Sequence, residues 1–288
     1  METKTARSSA SGRAFIACPA RTAAALAVVV CLGTGSGPTY GQAEADEGAG
    51  TYEFVYHTEW GATDVGTTQA RWSIGADQFF MHGESAANGL ASVVADFSGY
   101  VSVRSRRRPE GWQATQLVIA SSYGRETSLA ETFWSADGQS ATTTAQPPPD
   151  TDKVYPVTDE MRRNVTDPFS AMMTMLDRVQ TEQPCTETFQ IYDGRRRAEL
   201  GFTDLGTARL EPDRAFSYSG ETRVCGIIST PLGGHWRDSK LAEEEPDPED
   251  IKAFVAELAP GLMVPVRIEV ELFFGRLVTR LDMDRSVF

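Results

Sequence analysis

Histidine is scarce in this chain, with three in 288 residues. His57, His82 and His235 lie in separate segments. No i, i+4 pair exists, so no local zinc or iron motif can be assembled from them. A lone histidine on a strand reads as a packed or surface residue. The four cysteines form no C-x-x-C pair, which excludes a dithiol redox motif. No glycine-rich phosphate loop follows a strand-like run. The nearest approach to a nucleophile elbow, Gly83-Glu-Ser-Ala-Ala87, lacks the second glycine. Asn88-Gly89 then stands where that motif requires a helix. Asp282 and Asp284 share one face of a terminal strand and read as exposed carboxyls rather than an acid–base pair. These gaps leave no reaction to assign and imply no cofactor and no metal; a hydrolase is the minor reading.

Basic charge is also short, 27 Lys and Arg against 40 Asp and Glu, for a net charge of −13. Such a body repels nucleic acid and anionic headgroups at long range. The local basic runs Arg104–Arg108 and Arg195–Arg197 read as solvated strand faces. The acidic stretch Glu243–Asp250, in a loop over 237–250, reads as solvated rather than as a cation site.

A long apolar run occurs near the start. Lys4, Arg7, Arg13 and Arg21 precede Thr22–Leu32, and Ala43-Glu-Ala45 follows a Gly/Ser/Pro stretch. This is the layout of a secretory signal peptide over residues 1–45, with an uncleaved anchor as the alternative. Its removal takes away four basic and two acidic side chains and leaves −15. The remaining 243 residues, 46–288, are read as a single mainly antiparallel β domain, monomeric and periplasmic. Only Cys185 and Cys225 survive cleavage, and an even pair in an exported protein reads as a disulfide.

The mature chain alternates strand runs and turns. Tyr52, Phe54 and Tyr56 alternate with polar or outward positions, then Trp60-Gly61 turns. Thr67–Ile74, Gln78–Ser85, Ala91–Val103, Trp112–Ser121 and Thr127–Trp134 continue an antiparallel meander, with a hairpin expected at Asn88-Gly89. Residues 136–158, with Pro147-Pro-Pro149, read as a surface loop. Asp167-Pro168 is an N-cap with proline at the first helical position. Phe169, Met172, Met173, Leu176 and Val179 then repeat at helical spacing over 167–180. Thr186–Tyr192 and Arg195–Phe202 flank Asp193-Gly194, the signature of a two-residue type I′ hairpin. Strand runs follow at Phe216–Ser229, Val264–Phe273 and Arg276–Asp282, with Pro231–His235 as a turn. Ile251–Leu258 is open to helix or strand.

Several pieces in this order carry a resemblance: Asp167-Pro-Phe-Ser-Ala171, Pro184-Cys185, Tyr192-Asp-Gly-Arg-Arg-Arg197, Val224-Cys225, Pro231-Leu-Gly-Gly-His235, Val264-Pro-Val-Arg-Ile268 and Gly275. The chain resembles the bacterial family catalogued as domain of unknown function 3108, over roughly residues 50–284. The resemblance implies an exported envelope protein and a strand for Ile251–Leu258. It implies a curved antiparallel sheet or half-barrel, like the lipoprotein carriers, with one short central helix packed on it. It brings no reaction, cofactor or catalytic residue.

Two function classes fit. One is a binding protein that holds an apolar molecule or lipid in a hollow of the sheet. Its candidate ligand-facing residues are Phe169, Met172, Met173, Leu176, Arg195 and Arg197. Methionines 172, 173 and 175 suit adaptable apolar contacts, though filling a core is the plainer reading. Strand alternation sends Arg195 and Arg197 to one face and Arg196 to the other. A guanidinium on the concave side needs an acid or a ligand anion, and Glu187 or Glu199 is the simpler partner. The other class is a structural or interaction component of the cell envelope, with peripheral membrane contact.

Overall fold

Alternating aromatic and β-branched residues become strands here because one face of each can be buried against a common core. The structure is a computed structural model that describes residues 50–89, 92, 96–238, 247–272 and 275–288. Seven strands come first: β1 Gly50–Trp60, β2 Thr63–Ile74, β3 Gln78–Ala87, β4 Phe97–Arg108, β5 Gly111–Tyr123, β6 Glu126–Trp134 and β7 Ala141–Gln146. A 3₁₀ turn, Glu160–Arg162, leads to helix α1, Pro168–Gln180. Then come β8 Glu187–Tyr192, β9 Arg197–Leu210, β10 Gly220–Gly233, β11 Ile251–Ala259, β12 Leu262–Leu272 and β13 Gly275–Leu281.

All thirteen join one antiparallel sheet, ordered β7-β6-β5-β4-β3-β2-β1-β13-β12-β11-β10-β9-β8. The chain meanders from the middle to one edge, crosses through α1 to the other edge, and returns. β1 and β13 therefore meet at the centre, with Tyr56 opposite Leu281. The edges β7 and β8 do not pair with each other, so the sheet is curved and open. The crossing segment lies between them. Asn164 N–H donates to the Gln139 carbonyl (2.9 Å), while Thr166 N–H donates to Gln190 (3.0 Å) and Tyr192 N–H donates to Thr166 (2.9 Å).

Helix α1 starts where the sequence predicts. The Asp167 carboxylate accepts from the amides of Phe169 (2.8 Å) and Ser170 (3.1 Å) and from the Ser170 hydroxyl. The helix packs on β4 and β5 from one half of the sheet and on β8 and β12 from the other. Such encirclement buries more than one face. Phe169, Met173 and Leu176 are buried as expected, but so are Ser170, Ala171, Thr174 and Met175, while Met172 and Val179 are only half-buried. The polar residues among these are satisfied. Thr174 Oγ1 accepts from Trp112 N–H (2.8 Å) and donates to the Ser170 carbonyl (2.9 Å). Ser170 Oγ lies 2.5 Å from Ser105 Oγ. Gly111 makes the close approach possible, since a Cβ there would sit 2.3 Å from the Thr174 methyl.

Several sequence expectations are corrected. The surface loop over 136–158 contains β7, Ala-Thr-Thr-Thr-Ala-Gln, whose alternating burial is not announced by any alternation of apolar and polar residues. β4 begins at Phe97 rather than Ala91, so the connection after β3 is longer than an Asn-Gly hairpin; residues 90, 91 and 93–95 lie outside the described residues. β10 starts at Gly220 and continues through Pro231 to Gly233 instead of turning there. The Asp193-Gly194 turn spans four residues, because Tyr192 pairs with Arg197. Asp193 accepts from the amides of Arg195 (2.8 Å) and Arg196 (2.6 Å), an Asx cap that adds two residues to the turn. Ile251–Ala259 is a strand, as the resemblance implied. The 239–246 part of the acidic loop lies outside the described residues, as does the proposed signal peptide.

Leu176, 1% exposed, should cost about 2–5 kcal/mol on truncation to Ala, read from urea unfolding; a loss under about 0.5 kcal/mol would place it at the surface. Asp167 gives a pH signature. Burial pushes its carboxyl up to about 6, against the opposing hydrogen bonds from Ser170 and Phe169. A raised folded value favours the protonated fold, so its stability is fully present below about pH 4 and lost as pH rises through about 6. Relative to Asp167→Asn, the wild type should therefore lose stability between pH 4 and 7, by at most about 3 kcal/mol. Parallel stability curves for the two proteins over that range would refute it.

Candidate functional site

The sequence points to two places, the helix and the arginine run, and the structure places the first in the core and the second at the seam between the sheet edges. Phe169, Met173 and Leu176 lie in the core between the two halves of the sheet. Cys185 and Cys225 form the expected disulfide, with Cα atoms 5.9 Å apart. Its Cys225 sulfur lies 3.8 Å from Met175 Sδ, so the crosslink fastens β10 to the segment before β8 directly beneath the helix.

Arg195 sits in the four-residue turn, and only Arg197 is in a strand, so alternation does not relate them. Arg195 Nη2 donates to the carbonyls of Leu129 (3.0 Å), Gln146 (3.0 Å) and Pro147 (3.1 Å). The turn after β8 is thereby clamped onto β6 and the end of β7. Arg197 donates to the carbonyls of Ile191 (3.3 Å) and Ala198 (2.5 Å) and to Gln190 Oε1. Burial lowers both guanidinium pKa values. The ion pairs expected with Glu187 and Glu199 do not form. Glu187 takes Arg178 (2.7 Å) and Glu199 takes the Gln190 amide (2.8 Å). Carbonyl oxygens replace the expected acids because a turn pressed on a sheet edge meets unpaired backbone acceptors. Gly234 packs against the same turn. A Cβ there would lie 2.0 Å from the Arg195 carbonyl oxygen, so the glycine pair of Pro231–His235 serves this contact.

A different region of the inner face carries small, uncharged side chains. Helix α1 covers the end of β4 and β5 near Ser105, Trp112 and Thr174. Toward the other end, strand register aligns one row straight across six strands: Tyr56, Thr68, Ser85, Gly99, Ser121 and Ser128. A second row beside it holds Ala70, Gly83, Val101, Ile119 and Ala130. Both rows share the core side with Trp72, Met81, Val103 and Leu117 by alternation. Their side chains are small, so the floor is recessed. No residue of either row is charged. Thr68 Oγ1 and Ser85 Oγ are 3.0 Å apart, and Ser121 and Ser128 hydroxyls 2.8 Å. Tyr56, Thr68 and Ser85 are buried, while Gly99, Ser121 and Ser128 are half-buried, so the row, a shallow slot of small side chains, runs from a buried end at β1 to a half-buried end at β6.

Aromatic rings line the inner end of this slot. Phe54 lies 6.4 Å from Tyr56 and 4.8 Å from Trp72, and Trp72 lies 6.2 Å from Phe79. The Trp72 indole N–H is buried without a hydrogen-bond partner. Burial raises the Tyr56 phenol well above its ordinary pKa, so it stays a neutral donor. The slot was not legible in sequence, since its residues come from six strands and only register aligns them.

The acid and histidine groups lie elsewhere. Asp282, expected at an exposed end, is 3% exposed and bonds His57 Nε2 at 3.0 Å. The chain bulges after β13, so the Asp282 carboxylate caps the amides of Asp284 (3.0 Å) and Arg285 (3.1 Å) instead of facing water. Phe216 covers the His57 ring at 4.9 Å. The same 211–219 segment is held by charge: Arg280 bridges Asp213 (2.9 Å) and Glu59 (2.5 Å), and Arg214 reaches Glu59 (2.8 Å). Burial pushes the Asp213 carboxyl up, but the Arg280 and Arg267 guanidiniums outweigh it and hold it low. Among the described residues no cluster of three or more His, Cys, Asp or Glu side chains could hold a metal ion.

One curved antiparallel sheet around helix α1, with a row of small uncharged residues on its inner face, defines a mainly β scaffold. The chain belongs to the family described as protein of unknown function (DUF3108), whose model matches residues 55–282. No curated protein and no solved structure shows significant similarity.

Gly234→Ala should cost at least about 2 kcal/mol, from left-handed strain at φ +76° plus the clash with Arg195. Gly206→Ala, at φ +90° with nothing within 4 Å, should cost only about 1 kcal/mol. Equal losses in urea unfolding would show that the turn contact contributes nothing.

Proposed function

We propose that this protein is a non-enzymatic binding protein of the periplasm, which holds an apolar molecule or lipid in the slot of its curved sheet. The observation that carries the reading is the row from Tyr56 to Ser128, where small uncharged residues leave the inner face recessed beyond the reach of α1. Small side chains on a concave, partly exposed face make room, and aromatic walls supply apolar contact. The export signature of residues 1–45 and the disulfide support an oxidising compartment. The test is native mass spectrometry of protein taken from the envelope fraction, with organic extraction of what it carries. A co-purifying apolar species is expected, and Ser121→Trp, which fills the half-buried end of the slot, should abolish its retention while leaving the melting temperature within a few degrees. Ligand-free wild-type protein, or full retention by the tryptophan variant, would overturn the reading.

One observation favours the second reading, a partner-binding role. Tyr155, Leu232 and Trp236 are exposed at 42%, 44% and 39%, and Val154 bridges Trp236 while the Tyr155 ring lies tilted against His235 at 4.7 Å. Such a patch marks a contact surface for another envelope protein.

A further inference from the structure

We propose that the slot accepts the neutral, hydrogen-bond-accepting group of an apolar chain, an ester or ketone carbonyl, and that the Tyr56 hydroxyl donates to it. This rests on the ligand-binding reading above and specifies its chemistry. Tyr56 stands at the closed end of the row, opposite Thr68 on one side and Leu281 on the other, and is 7% exposed. Its hydroxyl makes no hydrogen bond among the described residues and is not fully sealed from solvent, so it can meet an incoming acceptor. The hydroxyls beside it are already matched, Thr68 with Ser85 at 3.0 Å and, farther out, Ser121 with Ser128 at 2.8 Å. Tyr56 is thus the unpaired hydroxyl of the row, with the unpartnered Trp72 indole N–H behind it.

The charge of the acceptor follows from what surrounds it. No residue of the two rows is charged, and Thr58 and Thr279, the next pair toward β13, bond each other at 2.9 Å. Arg107, which stands at the helix end of the same face, is held by Asp177 at 2.7 Å and stacks on Trp112 at 4.2 Å. A carboxylate or phosphate in the slot would therefore be buried without a counter-charge, at a cost far above one hydrogen bond. A carbonyl carries no such penalty. Ala70, Val101 and Ile119 in the adjoining row offer the apolar track for the chain attached to it.

The experiment measures equilibrium binding of methyl palmitate, hexadecane and palmitate to the full chain and to Tyr56→Phe, all delivered from the same cyclodextrin at pH 8. The expected order for the wild type is methyl ester first, hexadecane next and ionised palmitate last. Tyr56→Phe should weaken the ester about fivefold, the net worth of one hydrogen bond, and leave hexadecane unchanged. Because the phenylalanine keeps the ring, unchanged hexadecane binding also shows that the variant is folded with its slot intact. Tighter binding of palmitate than of its ester would overturn the proposal while sparing the ligand-binding reading. So would an equal loss for ester and hexadecane, or no loss for either. Failure of the wild type to bind any of the three would remove both.

Discussion

The rest of the structure depends on one helix being enclosed on nearly all sides. A thirteen-stranded sheet whose edges do not pair must bury its inner face against something, and α1 touches strands from both halves. Each half of the sheet alone would leave a wide apolar face in water. Around the helix they share one core, running from Phe54 and Trp72 to Leu200 and Val264. The Asp167 cap fixes where that helix begins, and Ser105, Ser170, Thr174 and the Trp112 amide fix its depth by satisfying the polar groups buried with it. Hydrogen bonds of this kind add little net stability, but leaving any of them unmade is expensive, so they act on position more than on strength.

A second constraint is the open seam. Edge strands present unpaired amides and carbonyls that invite association with another chain. Here the crossing segment 163–166 pairs with both sides, and Arg195 gathers three carbonyls at the end of β6 and β7. The motifs around Asp193–Arg197 and Pro231–His235 meet at this point, which gives their residues a physical reason: a guanidinium fork for several acceptors, and a glycine where backbone meets backbone. With the seam held shut and the helix at one end, the row of small residues from Tyr56 to Ser128 lies toward the other end.

Much of this fold was legible in the sequence, and the reasons are local. Asp167-Pro168 marked the helix start because capping is decided within three residues. The aromatic alternation of Tyr52, Phe54 and Tyr56 marked β1 because side chains alternate on any strand. The failures were local readings overruled from a distance or by chemistry outside the simple patterns. β7 was taken for a loop because its run Ala-Thr-Thr-Thr-Ala-Gln is polar and shows no alternation. The Asp193-Gly194 turn lengthened because the Asp193 side chain caps two amides. Asp282 was taken as exposed because nothing nearby in sequence announces His57, 225 positions away.

By itself the sequence determined the mainly β class, the position of the helix, the disulfide pair and the absence of any local catalytic or metal motif. Each follows from periodicity, capping or counting, which neighbouring residues settle among themselves. Only the tertiary structure decided that Arg195 and Arg197 bind carbonyls rather than acids, and that Tyr56, Thr68, Ser85, Gly99, Ser121 and Ser128 line up as one row. Such facts are set by register across strands far apart in the chain. A one-residue slip would turn that row to the opposite face.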